Sequence, residues 1–366
     1  MIGKLKTITV NVLVMANVLI IVLMLVAGYS DRLYPADHPL LSTVGLAFPI
    51  LVMLNLAFLL VFLLFKWSRA WIPIAGLALA FWPIRIYVPL HMPAELPADS
   101  VLKVVSYNVC AYGGNYKYEQ AFETILGYLN DQQPDIVCLQ EDNDTWRNYV
   151  FREYAKTFAY NDTITICNSI QAFNCLGIHT RFPILKRERI FYDTTVNNGS
   201  VAWWLKIDGD TVIVVNNHFE SCHLNSDDRR QYQQMISGEM KSDSVRSESK
   251  MLLIKLAEAN AKRSKQIDRV CEYIKDHQGY SMIVCGDFND NPISYSRHAM
   301  SELLTDCYVE SGRGIGLSYN GKGFFVRIDH IFCSPDIQPY NCMVDAKMDA
   351  SDHYPVVCWL KMKGKE

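Results

Sequence analysis

Five short polar patches, each at the end of an apolar run, carry the residues of this chain that can do chemistry. They are Ser106-Tyr107-Asn108, Leu139-Gln140-Glu141, Asn216-Asn217-His218-Phe219-Glu220-Ser221, Gly286-Asp287-Phe288-Asn289-Asp290 and Ser351-Asp352-His353. A sixth, Arg327-Ile328-Asp329-His330, lies between the last two. Carboxylates, amides and imidazoles that follow strand-like runs gather at one edge of a sheet. Such a set suits a hard metal and the hydrolysis of a phosphoester. That reaction needs a divalent ion on the non-bridging oxygens, an aligned water, and charge stabilisation or a proton for the leaving oxygen. Magnesium takes oxygen ligands and keeps several waters, so one or two carboxylates suffice.

Taken singly, most of these residues have an ordinary structural reading. Glu141 reads as a surface residue at a strand end, and Asn108 as a turn residue. Asp287 and Asn289 leave the buried run Ile283-Val284-Cys285 through Gly286 and alternate to the same side. They suit either an Asx turn or the holding of an attacking water. Asp352 and His353 can supply one metal-side carboxylate and one general acid or base. Asp329 is placed to orient the ring of His353, the Asp–His logic of other hydrolases. His218 ends the run Val212-Ile213-Val214-Val215 and can reach a phosphate. His330, next to Asp329, points the other way by strand alternation and reads as structural.

Segments 101–107, 136–139, 201–207, 211–216, 281–285, 328–333 and 356–361 read as the strands that position these patches. Segments 118–130 and 249–277 read as helices; in the second, Leu253, Leu256, Ile267, Val270 and Ile274 fall at helical spacing. Strands outnumber helices and no βα repeat is present. A sheet-on-sheet core with helices outside is therefore expected. Segment 225–249 is polar and charged, and reads as an exposed excursion or a loose helix.

The first hundred of the 366 residues differ in character. They hold six Lys and Arg, four Asp and Glu, and apolar runs at about 8–27, 41–65 and 70–90. Roughly 20 apolar residues cross a bilayer. The first two runs meet that length. Pro73, Pro83 and Arg85 interrupt the third, though Arg85 can snorkel to an interface. Lys4 and Lys6 precede the first run, Lys66 and Arg69 separate the second and third, and the loop with Asp31, Arg32 and Asp37 has no cationic excess. The positive-inside rule puts the N-terminus and Lys66–Arg69 in the cytoplasm. Three spans, the expectation here, leave everything after about residue 95 outside; two would leave it inside. A cleaved signal peptide is disfavoured, because the run is long and two more follow. The expected organisation is a transmembrane region at 1–92, a linker at 93–100 and a catalytic domain at 101–363.

All eleven cysteines come after residue 100. Cys138, Cys285, Cys333 and Cys358 lie in strands and read as small buried apolar residues. Cys167, Cys175 and Cys222 lie in polar contexts where one disulfide suits an exported domain. No CxxC pattern is present, so zinc is not expected. Beyond residue 100, 29 Lys and Arg face 34 Asp and Glu. A protein that grips nucleic acid through its phosphates usually shows the opposite balance.

In order and placement, the patches resemble the endonuclease/exonuclease/phosphatase superfamily, the fold of pancreatic-type deoxyribonuclease. The matching stretches are Ser-Tyr-Asn, Leu-Gln-Glu, Asn-His-Phe, Gly-Asp-Phe-Asn, Ile-Asp-His and Ser-Asp-His, over about 101–361. The resemblance implies an α/β (α+β) four-layer sandwich: two mixed β-sheets face to face with helices outside, here behind an N-terminal helical membrane region. It implies a membrane-anchored bacterial member with Mg²⁺ as cofactor and Mn²⁺ as a possible substitute. Glu141 matches the main metal ligand, Asn108 its support, and Asp352 a second metal-side carboxylate. Asp287, helped by Asn289, matches the residue that orients the water. His353 and Asp329 match the essential His–Asp couple, and His218 the second catalytic histidine of the deoxyribonuclease-like and sphingomyelinase-like branches. Asn-His-Phe-Glu-Ser (217–221) is also similar to the His-Leu-Glu-Ser stretch of tyrosyl-DNA phosphodiesterases. Arg327 and Arg263 are further phosphate-contact candidates.

The expected function is a membrane-anchored, divalent-metal-dependent phosphoesterase on the exported side of the membrane. The alternatives are a DNA endonuclease or exonuclease, a sphingomyelinase-like lipid-headgroup phosphodiesterase, and an inactive membrane-tethered binding module. Expected partners are a phosphoester substrate (nucleic acid, phospholipid headgroup or inositol phosphate) and the lipid bilayer; no protein partner is implied.

Overall fold

The computed structural model describes residues 2–97, 101–113, 118–142, 147–168, 173–193, 198–222, 227–228, 230–231, 234, 242–321 and 326–363. About half of the expected excursion at 225–249 lies outside them, and residues 242–249 begin a helix.

Four helices open the chain: α1 (Ile2–Gly28), α2 (Phe48–Phe65), α3 (Trp71–Leu79) and α4 (Phe81–Tyr87). Two stretches, Thr7–Arg32 and Leu41–Phe65, are long and apolar enough to cross a membrane. The α3–α4 pair makes a third if counted as one span, bent by 62°. Pro83 explains the bend. It has no N–H for the carbonyl of Leu79 and its ring crowds that carbonyl; the Tyr29 hydroxyl donates to the Leu79 oxygen instead, at 2.8 Å. A buried amide chain ties the three segments together. Asn17 Nδ2 donates to Asn55 Oδ1 at 2.8 Å, and Asn55 Nδ2 to the Pro73 carbonyl at 3.0 Å. Polar pairs of this kind hold apolar helices together where the hydrophobic effect does not.

Both connections at one end of this bundle touch the rest of the chain. Asn260 Nδ2 donates to Ser42 Oγ, and the Tyr34 hydroxyl to Asp268. The Arg327 guanidinium donates to the carbonyls of Ile86 and Tyr87. Lys66 and Arg69 lie at the far end of α2, so the α3–α4 pair runs back from that end. Residues 91–97 form no helix or strand, and the Ala94 backbone exchanges two hydrogen bonds with the Asn341 side chain.

Two six-stranded mixed sheets follow. The first, in spatial order, holds β11 (Ile337–Val344), β12 (Val356–Met362), β1 (Val101–Asn108), β2 (Ile136–Gln140), β4 (Phe173–Thr180) and β3 (Tyr160–Asn168). The second holds β5 (Ile184–Ile190), β6 (Gly199–Ile207), β7 (Asp210–His218), β8 (Ser281–Asp287), β10 (Asp329–Cys333) and β9 (Thr305–Asp306). Each sheet has a parallel pair at its centre, β1–β2 and β7–β8, with antiparallel neighbours.

Alternation builds the layers. Val104, Ile136 and Cys138 face Trp203, Val214 and Cys285 across the space between the sheets. Their neighbours Val105, Val137 and Leu139 pack outward on Phe122, Ile125 and Leu129 of α5 (Tyr118–Gln132), and on Val150 and Tyr154 of α6 (Arg147–Tyr154). Ile213, Val215 and Val284 pack outward on Ile267, Val270 and Ile274 of α7 (Ser242–Asp276). Two short helices, α8 (Tyr295–Ser301) and α9 (Cys307–Ser311), complete the second sheet's side. Central strands buried on both faces read as unbroken apolar runs. The five strands absent from the sequence reading are β3, β4, β5, β9 and β11; all but β4 are sheet edges, where charged residues such as Lys186-Arg187-Glu188 blunt pairing.

The expected disulfide does not form: all eleven cysteines are thiols. Cys175 is buried in β4, and Cys222 Sγ lies 3.6 Å from the Arg263 guanidinium.

Candidate active site

The C-terminal ends of the two parallel pairs face each other, and they bring the patches together. Asn108 ends β1, Glu141 follows β2, His218 ends β7 and Asp287 ends β8. Antiparallel β10 starts at the same edge, and its register sets Asp329 directly beside Asp287. Asp352 and His353 arrive on the loop into β12, which pairs with β1.

Backbone geometry at these exits is unusual. Gly286 has φ +136°, and a Cβ there would run into the backbone of Asn217, so the β7–β8 approach requires glycine. Glu141 and Asn289 adopt φ of 53° and 51°, the left-handed region that non-glycine residues rarely occupy. Local strain of this kind is held in place by surrounding contacts and collects at functional sites.

Asp287 is the hub. Its Oδ2 accepts from Asn108 Nδ2 at 3.0 Å and lies 3.7 Å from both His218 Nε2 and His353 Nε2. Its Oδ1 accepts from the Asn289 amide at 2.8 Å. Asn108 Nδ2 also donates to Glu141 Oε1 at 3.0 Å, and that oxygen is 3.7 Å from His218 Nε2. His353 Nδ1 is 2.9 Å from Asp329 Oδ2. Asn289 and Asp352 line the same cavity, whose volume is about 330 Å³.

Burial pushes the Asp329 carboxyl up, to about 6, with neighbouring Asp287 adding to the rise. For His353, burial acts downward, but the Asp329 and Asp287 carboxylates outweigh it and raise the imidazole to about 10. At neutral pH the proton of this couple sits on the imidazole.

Asp287, Asp329 and His353 each place a possible ligand atom within 4.8 Å of the other two. Asp329 Oδ2 and His353 Nδ1 are already engaged with each other, and Glu141 lies with Asp287 and His353 on the cavity wall. Asp352 lines the same cavity. These donors are hard oxygens, which fit Mg²⁺ or Mn²⁺ rather than zinc. Asn108 turns its nitrogen to the carboxylates, while its Oδ1 accepts from the Cys110 amide at 3.0 Å. In this arrangement Asn108 braces two carboxylates rather than offering an oxygen.

The two arginines are not phosphate contacts. Arg263 is fully buried, 3.2 Å from Asp290, and donates to the Glu220 carbonyl and to Asn260. Arg327 is spent on the carbonyls of Ile86, Tyr87 and Ile315. Sequence marks an arginine as cationic but does not say which way it faces. Arg263→Met is expected to cost about 3–5 kcal/mol by leaving Asp290 charged and buried. A thermal melt of the purified chain checks this; an unchanged Tm would mean the pair contributes nothing. His330 packs between Phe288 and Phe332. Burial lowers it to about 4, so it is neutral and stands apart from the cavity.

Other contributors had weaker signals. Gln140 Nε2 donates to Asn216 Oδ1 at 2.6 Å, and Asn216 Nδ2 to the Leu139 and Gly177 carbonyls. These buried amides tie one sheet to the other just behind the side chains of the cavity. Ser318 Oγ accepts from the amides of Ile328 and Asp329, and the Tyr319 ring packs on His353 at 4.9 Å. Ser318 and Tyr319 lie in a glycine-rich stretch with no strand-end pattern, and nothing in their local sequence marks them.

Residues 105–353 match the family model described as Endonuclease/Exonuclease/phosphatase family. The chain belongs to that family. Residues 10–87 match a second model, described as a Domain of unknown function (DUF8431). No curated protein matches the chain in sequence. Among solved structures of the family's fold, TDP2 from D. rerio complexed with single strand DNA product has 18% identity and a TM-score of 0.54, covering 72% of this chain and 100% of that one. The endonuclease/exonuclease/phosphatase from Bacteroides vulgatus has 16% identity and a TM-score of 0.52, with coverage of 72% and 100%. The human Nocturnin catalytic domain with bound sulfate anion has 16% identity and a TM-score of 0.51, with coverage of 72% and 93%. At these identities the likeness is one of fold. Family membership and the acidic–imidazole cluster together support a metal-dependent hydrolase.

Proposed function

We propose that this protein is a membrane-anchored, divalent-metal-dependent phosphoesterase that cleaves a phosphodiester or phosphomonoester by in-line attack of water. The observation that carries the reading is Asp287 Oδ2, set between Asn108, His218 and the charged His353. Asp287 takes the proton of the attacking water, and the Asn289 amide fixes its other oxygen. His353, charged and held by Asp329, donates from Nε2 to the leaving oxygen. His218 holds a phosphoryl oxygen, and Asn108 braces Glu141 and Asp287. A divalent cation bound by Glu141 and Asp352, with Asn108 in support, would supply positive charge for the non-bridging oxygens.

Residues 1–92 serve as the anchor. Lys4, Lys6, Lys66 and Arg69 lie at the end of the bundle away from the catalytic domain, which supports three crossings and an exported domain at 101–363, joined through 93–100. A nucleic-acid phosphodiester is a second reading. It is supported by the DNA product in the D. rerio TDP2 structure and opposed by the acidic balance beyond residue 100.

The test is a substrate panel with the purified full chain and Mg²⁺: bis-p-nitrophenyl phosphate, plasmid DNA, sphingomyelin and inositol phosphates. Hydrolysis of at least one is expected, abolished by EDTA and restored by Mg²⁺ or Mn²⁺. Activity indifferent to EDTA would refute the metal. A topology reporter fused after residue 366 is expected to be active only in the exported compartment.

A further inference from the structure

We infer that the phosphoester taken by this site is carried on a lipid chain and reaches the cavity from the membrane surface; this rests on the phosphoesterase reading. The cavity is lined by Glu141, His218, Asp287 and His353, and also by Leu46 and Leu256. Leu46 belongs to the N-terminal helical region. It lies in the 3₁₀ segment Leu41–Ala47, inside the apolar stretch Leu41–Phe65 and two residues before α2. A residue of a membrane-span candidate is therefore part of the catalytic wall.

Its seat is fixed. A Cβ on Gly45 would run into the Ile293 carbonyl oxygen, so this segment and the loop after β8 are in close contact. Ile293 is itself buried among Met24, Ala27, Phe48 and Ala80 of the helical bundle. Asn260 Nδ2 holds Ser42 Oγ at 3.0 Å. The cavity thus sits at the end of the spans, at the height of lipid headgroups.

From Leu46 an exposed apolar stripe runs along α2. Leu46 is 40% exposed, Ile50 64% and Met53 65%, at near-helical spacing. On α7, Leu253 and Ile254 are exposed at 43% and 39%, within one turn of Leu256. A wall of this kind suits the boundary between headgroups and acyl chains. A polynucleotide from water gains nothing from it. The chemistry that fits is an amphiphile with its phosphate among the catalytic groups and its alkyl or isoprenoid chain along the Leu46–Ile50–Met53 stripe.

The full chain in phosphatidylcholine nanodiscs with Mg²⁺ tests this with two esters that release the same p-nitrophenol: methyl p-nitrophenyl phosphate in water and hexadecyl p-nitrophenyl phosphate in the bilayer. The hexadecyl ester is expected to have a kcat/KM roughly a hundredfold higher, the fold-change of three to four methylenes leaving water. Leu46→Asp is expected to cut that ratio by about tenfold or more, by putting a charge where the chain would lie. Leu253→Asp, at an exposed helix position, is expected to lower it severalfold and serves if the first variant does not fold. Equal kcat/KM for the two esters, a ratio unmoved in the folded variants, or faster cleavage of a single-stranded oligonucleotide would overturn the inference and leave the phosphoesterase standing. Cleavage of none of the three would overturn both.

Discussion

Asp287→Ala is expected to lower kcat/KM by about 10³-fold or more, roughly 4 kcal/mol of transition-state stabilisation. Asp287 touches both imidazoles and accepts from the Asn108 amide. In the proposed mechanism, removing it takes away the group that receives the proton and the charge that holds the others in line. Stability should change little or improve. Asp287 and Asp329 are partners in register on adjacent strands, and the first carboxylate repels the second. Asp287→Asn, which keeps the shape and loses the charge, should fall nearly as far. Steady-state kinetics and a thermal melt on the same preparation separate chemistry from folding. A folded Asp287→Ala protein with more than about a tenth of the activity would remove Asp287 from the reaction.

Asp329→Asn is expected to be nearly as damaging as His353→Ala, at about 10²–10⁴-fold, because it removes the carboxylate that orients and charges the ring. The double variant should be no worse than either single one, since the pair acts as a unit. The pH behaviour gives a second readout. In the metal-free protein, the His353 ring resonances should not titrate near the ordinary value of about 6.5, because Asp329 and Asp287 raise the group to about 10 against the pull of burial. In Asp329→Asn the first of those carboxylates is gone, burial dominates more, and the midpoint should move down. A raised histidine contributes its stability fully below its unfolded value near 6.5, and that contribution is lost as pH rises through about 10. A wild-type titration midpoint at the ordinary value would mean that no such couple exists.

What could be read from the chain alone followed burial. The strands β1, β2, β7, β8, β10 and β12 lie inside the sheets, covered on both faces, and their apolar runs stand out. Edge strands such as β5 are charged and half solvated, and their pattern is lost among loops. Helix α7 was legible from its apolar stripe, although its first turns were not, because that part carries no buried face in sequence. The candidate site was legible as a set because Asn108, Glu141, His218 and Asp287 end or follow strands, and one edge of the sheets collects strand ends.

Sequence by itself determined the residue types, their order, and the split between an apolar helical region and an acidic sheet domain, since propensity and hydrophobic pattern are local properties. Only the tertiary structure decided who touches whom. Register put Asp329 beside Asp287, and amide pairs 76 residues apart, Gln140 and Asn216, locked one sheet to the other. Packing turned Arg263 and Arg327 inward and carried Leu46 of the N-terminal region to the cavity of a site that begins some sixty residues later. Such contacts depend on how two sheets and a helical bundle close on one another, and no local stretch of chain encodes that closure.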